Sequence, residues 1–501
     1  MFKKVLIANR GEIAVRIIKA CQELGVKTVA VYSEVDKNTP HVNLADEAVD
    51  LGDPAPIESY LNIPKIIESA QTIGADAIHP GYGFLAENPD FAQACEDRGI
   101  KFIGPTPRVI SLMGDKIAAK KTMMKAGVPV IPGYHGVKQD NVSLIKEGKK
   151  IGFPLLVKAA AGGGGKGMRI VQSEEYLGES IESAKREAKS AFGDNTVFLE
   201  KYLDRPRHIE FQILADGYGN VIHLFERECS IQRRHQKIIE ETPSPVMTPE
   251  LRKKMGDAAV AVAEAAGYTN AGTVEFMVDG DLNFYFMEMN TRLQVEHPIT
   301  EATTGIDLAK WQLRIASGGE LTLKQKELYQ RGHALECRVY AEDPSNGFLP
   351  SIGTLEKVEV PTGPNIRNDT GIETGMEVTP YYDPMLAKLV VSSEDRGETI
   401  RKTIWALSHY VVLGVTTNIP FLKRVLEHDE FMRGNITTHF IENHFKDWTI
   451  AKGGWLPVDA VIALAVYDSM HSRGDEIVRY KEADPHSPWK HVGRWRMGAG
   501  V

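Results

Sequence analysis

In the run Glu288-Met289-Asn290-Thr291-Arg292-Leu293-Gln294-Val295-Glu296, the carboxylates, amides and guanidinium fall at even positions, with Met289, Leu293 and Val295 between them. If the run is extended, its even side chains share one face, and two carboxylates, two amides and a guanidinium line a single groove. A solvated strand face would show the same alternation. What separates the two readings is Glu275, on the preceding strand of an expected hairpin whose turn lies near Asp279 to Asn283. A loop with an even number of residues pairs odd positions with even ones, and the loop Gly280 to Asn283 would set Glu275 directly opposite Glu288. Carboxylates directly across a ladder repel unless a cation lies between them. Oxygen ligands with an amide beside them suit magnesium or manganese, completed by waters and substrate phosphates. The expectation is an ATP-phosphate metal site.

Two further clusters could serve anions. The loop Ala161-Gly162-Gly163-Gly164-Gly165-Lys166-Gly167 follows a strand ending in Lys158. Glycines let backbone N–H groups approach phosphate oxygens, and a lysine at the strand end can neutralise them. The loop lacks the Walker A pattern, because Lys166 is followed by glycine rather than serine or threonine, and a flexible surface loop is the plainer alternative. Arg207-His208 and Gln232-Arg233-Arg234-His235-Gln236-Lys237 place cations and amides on a neighbouring pair of strands. Alone they read as a basic solvated turn; beside a metal-phosphate site they read as anion recognition.

These groups must be held by elements the sequence also outlines. Val5 to Ala8 is a short apolar strand, and Ile13, Ile17, Cys21 and Leu24 recur at helical spacing after it. Strands at Thr28 to Tyr32, Ala75 to His79 and Lys101 to Ile103 alternate with helical stretches, the pattern of a doubly wound parallel sheet over residues 1–114. The first turn holds a single glycine, so the dinucleotide fingerprint is absent. A linker helix spans 115–130. Residues 131–203 carry the strand Leu155 to Lys158, the glycine loop and the closing strand Val197 to Glu200, and form an expected mobile lid. From Asp204 onward Ile209 to Leu214, Val221 to Phe225, Thr273 to Val278 and Phe284 to Asn290 predict an antiparallel sheet in a domain at 204–450. In the tail, 451–501, a helix is expected at Val458 to Met470. The tryptophans Trp448, Trp455, Trp489 and Trp495 suggest either packing on the body or a docking surface for a partner protein.

The chain has 501 residues, 43% apolar and 25% charged, an ordinary globular balance that predicts about two to four domains. A formal net charge of −8 provides no electrostatic footprint for nucleic acid or an anionic membrane. The longest apolar run, Ala460 to Tyr467, falls short of the ~20 residues that span a bilayer, and no signal-peptide core opens the chain. Cys21, Cys95, Cys229 and Cys337 are too scattered for a metal site or a disulfide framework, so they are expected reduced and buried in a cytoplasmic protein.

The order of motifs resembles the ATP-grasp superfamily, and within it the biotin carboxylase component of biotin-dependent carboxylases. The likeness rests on Ile7-Ala8-Asn9-Arg10-Gly11-Glu12-Ile13-Ala14, His79-Pro80-Gly81-Tyr82-Gly83-Phe84, Met113-Gly114-Asp115-Lys116, the glycine loop, Glu226 to Lys237, Glu288 to His297 and Gly332 to Arg338. It covers residues 1 to about 450 and implies an α/β, ATP-grasp fold.

The resemblance implies an ATP-dependent ligase that carboxylates biotin with bicarbonate through carboxyphosphate. By it, Lys116, Lys158, Gly163, Gly164 and Gly165 hold the nucleotide phosphates. Glu200, Lys201 and Leu203 border the adenine, and His208, Gln232 and His235 the ribose. Glu275, Glu288 and Asn290 hold two divalent ions, Mg²⁺ or Mn²⁺. Lys237, Arg292, Gln294 and the backbone of Val295 grip bicarbonate, and Glu296 removes its proton. Tyr82 and Arg338 meet the biotin ring, where Arg338 stabilises an enolate oxygen. The lid keeps water from carboxyphosphate. Relatives with a longer glycine run than the four between Ala161 and Lys166 mark one departure, which bears on lid kinetics. An Ala-Met-Lys-Met biotinylation motif is missing, and the nearest look-alike, Met123-Met124-Lys125-Ala126, lies in a helical stretch. Biotin is therefore expected on a separate polypeptide, with a homodimer serving a biotin carrier and a carboxyltransferase subunit. Thr416 to Pro420 and Thr437 to Phe440 look most like two-subunit pyruvate carboxylases, with acetyl- or propionyl-CoA carboxylase as the alternative. The competing classes are another ATP-grasp ligase and a silent ATP-binding subunit.

Overall fold

The computed structural model describes residues 1–160, 168–446, 448–449, 462–464 and 466–467. Strand β1 (Lys4–Ile7) has Val5, Leu6 and Ile7 with no exposed surface, as expected of a parallel strand covered on both faces. Gly11, at φ +65°, turns the chain into helix α1 (Gly11–Glu23), which buries Ile13, Ile17 and Cys21. With β2 (Lys27–Ser33), β3 (Glu47–Gly52), β4 (Ala77–His79) and β5 (Lys101–Phe102), β1 forms a wholly parallel sheet of order β3-β2-β1-β4-β5. The order reverses between β1 and β4, and such a switch point opens a crevice at the strands' carboxyl ends. Asn9, just past β1, donates to Pro80 O at 2.7 Å and Tyr82 O at 2.8 Å and so fixes the loop that carries Tyr82.

Strands β6 (Gly133–Tyr134), β7 (Leu155–Ala159), β8 (Arg169–Val171) and β9 (Val197–Lys201) form an antiparallel sheet of order β6-β9-β7-β8. Leu144, Leu155, Val157, Leu177, Ile181 and Leu199 give it a core of its own. The glycine loop, including Gly163, Gly164 and Gly165, lies outside the described residues.

The third sheet positions the chemistry. It contains β10 (Arg207–Ala215), β11 (Val221–Arg233), β12 (Gln236–Thr242), β13 (Asn270–Val278), β14 (Phe284–Asn290), β15 (His333–Tyr340) and the strands Ile366–Thr370 and Met385–Ser393. All its pairings are antiparallel. Ile209, Phe211, Val274, Phe276, Leu335, Cys337, Ala387 and Leu389 point to one side and build two hydrophobic clusters. The alternate residues, His208, Glu210, Glu275, Glu336, Arg338 and Lys388, therefore share the opposite face.

Two details differ from the sequence reading. The β13–β14 loop is Asp279 to Asn283, one residue longer than expected, because Val278 pairs with Phe284. That odd count alone would turn Glu288 toward the core. The register then shifts between Phe276↔Phe286 and Glu275↔Glu288, leaving Met287 as one extra residue, and this bulge restores the opposition of the two carboxylates. The extended run also stops at Asn290 instead of reaching Glu296. The N–H of Thr291 is taken by Glu87 Oε1 at 3.0 Å, and a helix with Pro298 in its first turn starts at His297. Residues 291–296 are a turn, so Glu296 reaches the common face by a reversal of the chain and not by alternation.

Met1–Trp448 is one compact unit and Thr449–Val501 a second. Of the expected helix Val458 to Met470, the described residues 462–464 and 466–467 are helical; Trp455, Trp489 and Trp495 lie outside the described residues. All four cysteines are buried and free. Among the described residues, no helix is long and apolar enough to cross a membrane.

Candidate active site

Lys237 is the hub of the polar face. Its Nζ donates to Glu210 Oε2 at 2.5 Å, Glu296 Oε1 at 2.7 Å and Glu275 Oε1 at 2.8 Å. Burial opposes its charge, but the three carboxylates hold the ammonium well above its ordinary range. A one-residue register shift on β12 between Gln232↔Lys237 and Ile231↔Ile239 lets Lys237 and Glu240 serve the same face.

Glu296 has no exposed surface and immediately precedes the helix His297–Thr304. Its second oxygen accepts from Arg338 Nη2 at 3.0 Å, while Arg338 Nε donates to Glu240 at 2.6 Å. Burial alone would raise the Glu296 carboxyl, yet Lys237, Arg338 and Arg227 hold it well below the usual carboxylate range. It is thus an anion beside two fixed cations. Glu240 goes the other way: burial, against the pull of Arg338 and helped by the Glu296 charge, brings it up to about 7. Directly opposite it, Glu336 is fully buried and pushed well above the ordinary range by burial.

Arg292 is fixed by Glu87 at 2.8 Å, and its remaining nitrogens reach Asn290 Oδ1 and Gln294 Oε1, both at 3.1 Å. Gln294 joins Arg292 to Glu275, and Glu275 and Glu296 share Lys237, so the four expected bicarbonate and base side chains form one connected network.

The donor set of Glu275, Glu288 and Asn290 fits a hard divalent cation. Glu288 faces Glu275 across the ladder, its side chain is 38% exposed, and its only ion pair among the described residues is with Lys116 at 3.8 Å. Burial and the Glu275 charge raise its carboxyl above the ordinary value, a repulsion that a cation between the two would relieve. Glu275 itself is pulled down, against burial, by Lys237 and His208. It accepts from Asn290 Nδ2 at 2.7 Å and Gln294 Nε2 at 3.1 Å, and His208 Nε2 lies 3.0 Å from its other oxygen. Ligand atoms of His208, Glu210 and Glu275 also converge. The Lys237 ammonium already bridges Glu210 and Glu275 there.

The expected phosphate lysine Lys158 is held by Glu200 Oε2 at 2.7 Å, and Lys120 takes the other Glu200 oxygen. Burial and the nearby Lys116 bring the Lys158 ammonium down to about 8. The Glu200 side chain thus pairs with two lysines. Lys201 ends β9, and Leu203 follows in the connection to β10. His208 Nδ1 lies 2.7 Å from Gln232 Nε2, which brings together two of the three residues expected at a ribose. The third, His235, lies on a two-residue hairpin turn with Arg234, at φ +67° and +49°. Both are non-glycine residues in the left-handed region, a strained tip of the kind met at ligand sites.

Not every cation of the basic cluster belongs to the site. Arg207 binds Glu228 and Gly434 O, and Arg233 binds Glu342, so these two guanidiniums are engaged within the protein. Sequence reasoning missed Glu87, Lys120, Glu210 and Glu240. For Glu210 a signal existed, a carboxylate between the apolar Ile209 and Phe211. Tyr82 approaches from the parallel sheet with its hydroxyl buried and without a hydrogen-bond partner among the described residues.

Comparison with known proteins assigns the three segments. Residues 1–110 match the family model "Biotin carboxylase, N-terminal domain", residues 115–324 "Carbamoyl-phosphate synthase L chain, ATP binding domain", and residues 336–443 "Biotin carboxylase C-terminal domain". A pyruvate carboxylase subunit of Methanothermobacter thermautotrophicus is 56% identical over 445 residues, 89% of this chain and 90% of that protein. The alpha chain of mitochondrial methylcrotonoyl-CoA carboxylase from Dictyostelium discoideum is 53% identical over 496 residues, 99% of this chain and 70% of that one. The biotin carboxylase domain dimer of Hydrogenobacter thermophilus 2-oxoglutarate carboxylase, solved with MgADP, ADP and bicarbonate, superposes with a TM-score of 0.86. It is 50% identical and covers 90% of this chain and 100% of that chain.

Proposed function

Since the chain belongs to the biotin carboxylase family of ATP-dependent ligases, we propose that it carboxylates carrier-borne biotin at N1′, as the biotin carboxylase subunit of a pyruvate carboxylase. The observation that carries this reading is the Lys237–Glu296–Arg338 chain, a buried anionic base at 2.7 and 3.0 Å from two cations. Lys237, Arg292, Gln294 and the Val295 main chain hold bicarbonate, and Glu296 takes its proton. The resulting dianion, a better nucleophile than bicarbonate, attacks the γ-phosphate and expels ADP to give carboxyphosphate, which breaks into carbon dioxide and phosphate; the phosphate takes the N1′ proton and the biotin N1′ adds to the carbon dioxide. Arg338 then presents paired donors where negative charge develops on the ureido oxygen, and Tyr82 supports the ring. Lys116, Lys158 and the glycines Gly163, Gly164 and Gly165 neutralise the nucleotide phosphates, with Glu200 orienting Lys158. Glu200, Lys201 and Leu203 border adenine; His208, Gln232 and His235 border ribose. Glu275, Glu288 and Asn290 would hold two divalent ions, Mg²⁺ or Mn²⁺, which when bound screen the phosphate charge.

The domains that carry these tasks are 1–114, the linker helix 115–130, a closing lid 131–203, the body 204–450 and a tail 451–501 that serves docking. The working form is a homodimer, in line with the dimer of the Hydrogenobacter domain, that serves a separate biotin carrier and carboxyltransferase subunit. Four buried free thiols suit a reducing cytoplasm. A second reading, an acyl-CoA acceptor, draws on the Dictyostelium match, which runs over 496 residues and so into the tail.

The test is ATP hydrolysis by the pure chain, expected to depend on bicarbonate and to rise with free biotin. Stimulation by ammonia or an amino acid instead would replace this reading with another ligase of the same superfamily. Reconstitution with the co-purifying biotinylated partner, offered pyruvate or an acyl-CoA, decides the acceptor.

A further inference from the structure

The strand Met385–Ser393 carries Lys388 directly opposite Arg338 on one side and Asp369 on the other. Its side chain has no exposed surface. Nζ donates to Val295 O at 2.9 Å, lies 3.1 Å from Glu12 Oε2 and 3.9 Å from Asp369 Oδ2, and stands 5.6 Å from the centroid of the Tyr82 ring. Burying an ammonium is costly, and an apolar side chain of similar volume would serve packing at least as well. A lysine in this position calls for another reason.

Its contacts supply one. The Val295 carbonyl belongs to the peptide unit whose nitrogen is that of Glu296. Holding it fixes the turn that presents both the Val295 main chain and the proton acceptor. The ammonium is also within cation–π reach of Tyr82. Glu12 comes from the first turn of α1, in the N-terminal sheet domain, where the helix N-terminus favours a carboxylate. One buried charge therefore ties together α1, the Tyr82 loop and the Gln294 to Glu296 turn, segments far apart in the chain.

We propose that Lys388 is a positioning residue for the carboxylation, with Glu12 and Asp369 as its acidic neighbours: it sets the bicarbonate-holding turn through the Val295 carbonyl and the biotin-facing Tyr82 through its ring. This rests on the function proposed above. Neither residue has a contact here to Lys116, Lys158 or His208, so the effect is selective for two of the three substrates.

The test is steady-state kinetics of the full chain and of Lys388→Met, a neutral side chain of similar length. KM for bicarbonate and for free biotin should each rise about tenfold or more, with KM for ATP within twofold of the native value. Glu12→Gln, which keeps the shape and removes the charge, should shift the same two constants in the same direction by a smaller factor, and it decides the matter alone if Lys388→Met does not fold. Unchanged bicarbonate and biotin constants, or an equal rise in KM for ATP, overturns the proposal. Absence of bicarbonate-dependent hydrolysis in the native chain would be seen before any variant is made, and would count against the function itself.

Discussion

Glu296→Gln removes one charge from the centre of the site and leaves its shape. Glu296 now accepts from Lys237 at 2.7 Å and from Arg338 at 3.0 Å. Gln keeps one acceptor, so two cation-to-anion bonds become one bond from a cation to a neutral carbonyl and one N–H aimed at a cation. Against that loss, the Glu296 charge is among the causes that raise Glu210 and Glu240, and its removal relaxes both. Lys237 retains Glu210 and Glu275, and Arg338 retains Glu240. With hydrogen bonds to charged groups contributing about 1.5–3 kcal/mol each, the partial compensation leaves a net destabilisation of about 2 kcal/mol or less. Turnover has no such compensation, because an amide cannot take the proton. General base catalysis is worth about 10²- to 10⁴-fold, or roughly 2.7–5.4 kcal/mol of barrier. The assay is bicarbonate-dependent ATP hydrolysis beside a fluorescent-nucleotide titration. Turnover within about threefold of native, with nucleotide binding intact, would refute the assignment of Glu296 as proton acceptor.

Two other perturbations follow from the same geometry. Glu240, raised to about 7, is charged only above that pH. Biotin-stimulated turnover should therefore fall as pH drops through about 7, as Arg338 loses its clamp, and Glu240→Gln should abolish that limb. The sign for stability is opposite: a raised carboxyl makes the fold less stable as pH climbs from about 4.3 toward its folded value, so thermal melting of the native chain against Glu240→Gln should diverge over that interval. Glu275→Gln should raise the magnesium or manganese concentration for half-maximal activity by roughly tenfold or more, since even partners of metal ligands are worth about 10- to 100-fold in affinity. An unchanged metal requirement would place the cation elsewhere.

Much of the architecture was legible because it depends on local periodicity. The apolar run Val5 to Ala8 and the recurrence of Ile13, Ile17 and Cys21 sufficed for the parallel sheet and its first helix, and alternation sufficed for β13 and β14. Opposition of Glu275 and Glu288 was anticipated from a loop count that was one short, and held because a bulge at Met287 compensates. The extension of the strand to Glu296 failed because Glu87, far away in sequence, captures the N–H of Thr291. The same reason hid Glu87, Lys120 and Lys388: each acts on a residue distant in the chain, and no spacing rule connects Glu12 to Lys388 or Lys120 to Glu200. Glu240 was hidden differently, in a strand whose register shift removes the alternation that would have marked it.

The compensated hairpin has a consequence for how this chain can vary. Between Glu275 and Glu288 the number of residues is constrained by parity rather than by length. A one-residue change in the Asp279 to Asn283 connection that is passed into the strand pairing, instead of being absorbed by the loop, turns Glu288 to the apolar side of the sheet. Gain or loss of one residue at Met287 compensates such a shift. Related sequences that differ in the tip of this hairpin should therefore carry a matching gain or loss at the bulge, and an engineered insertion should be designed in the same even steps.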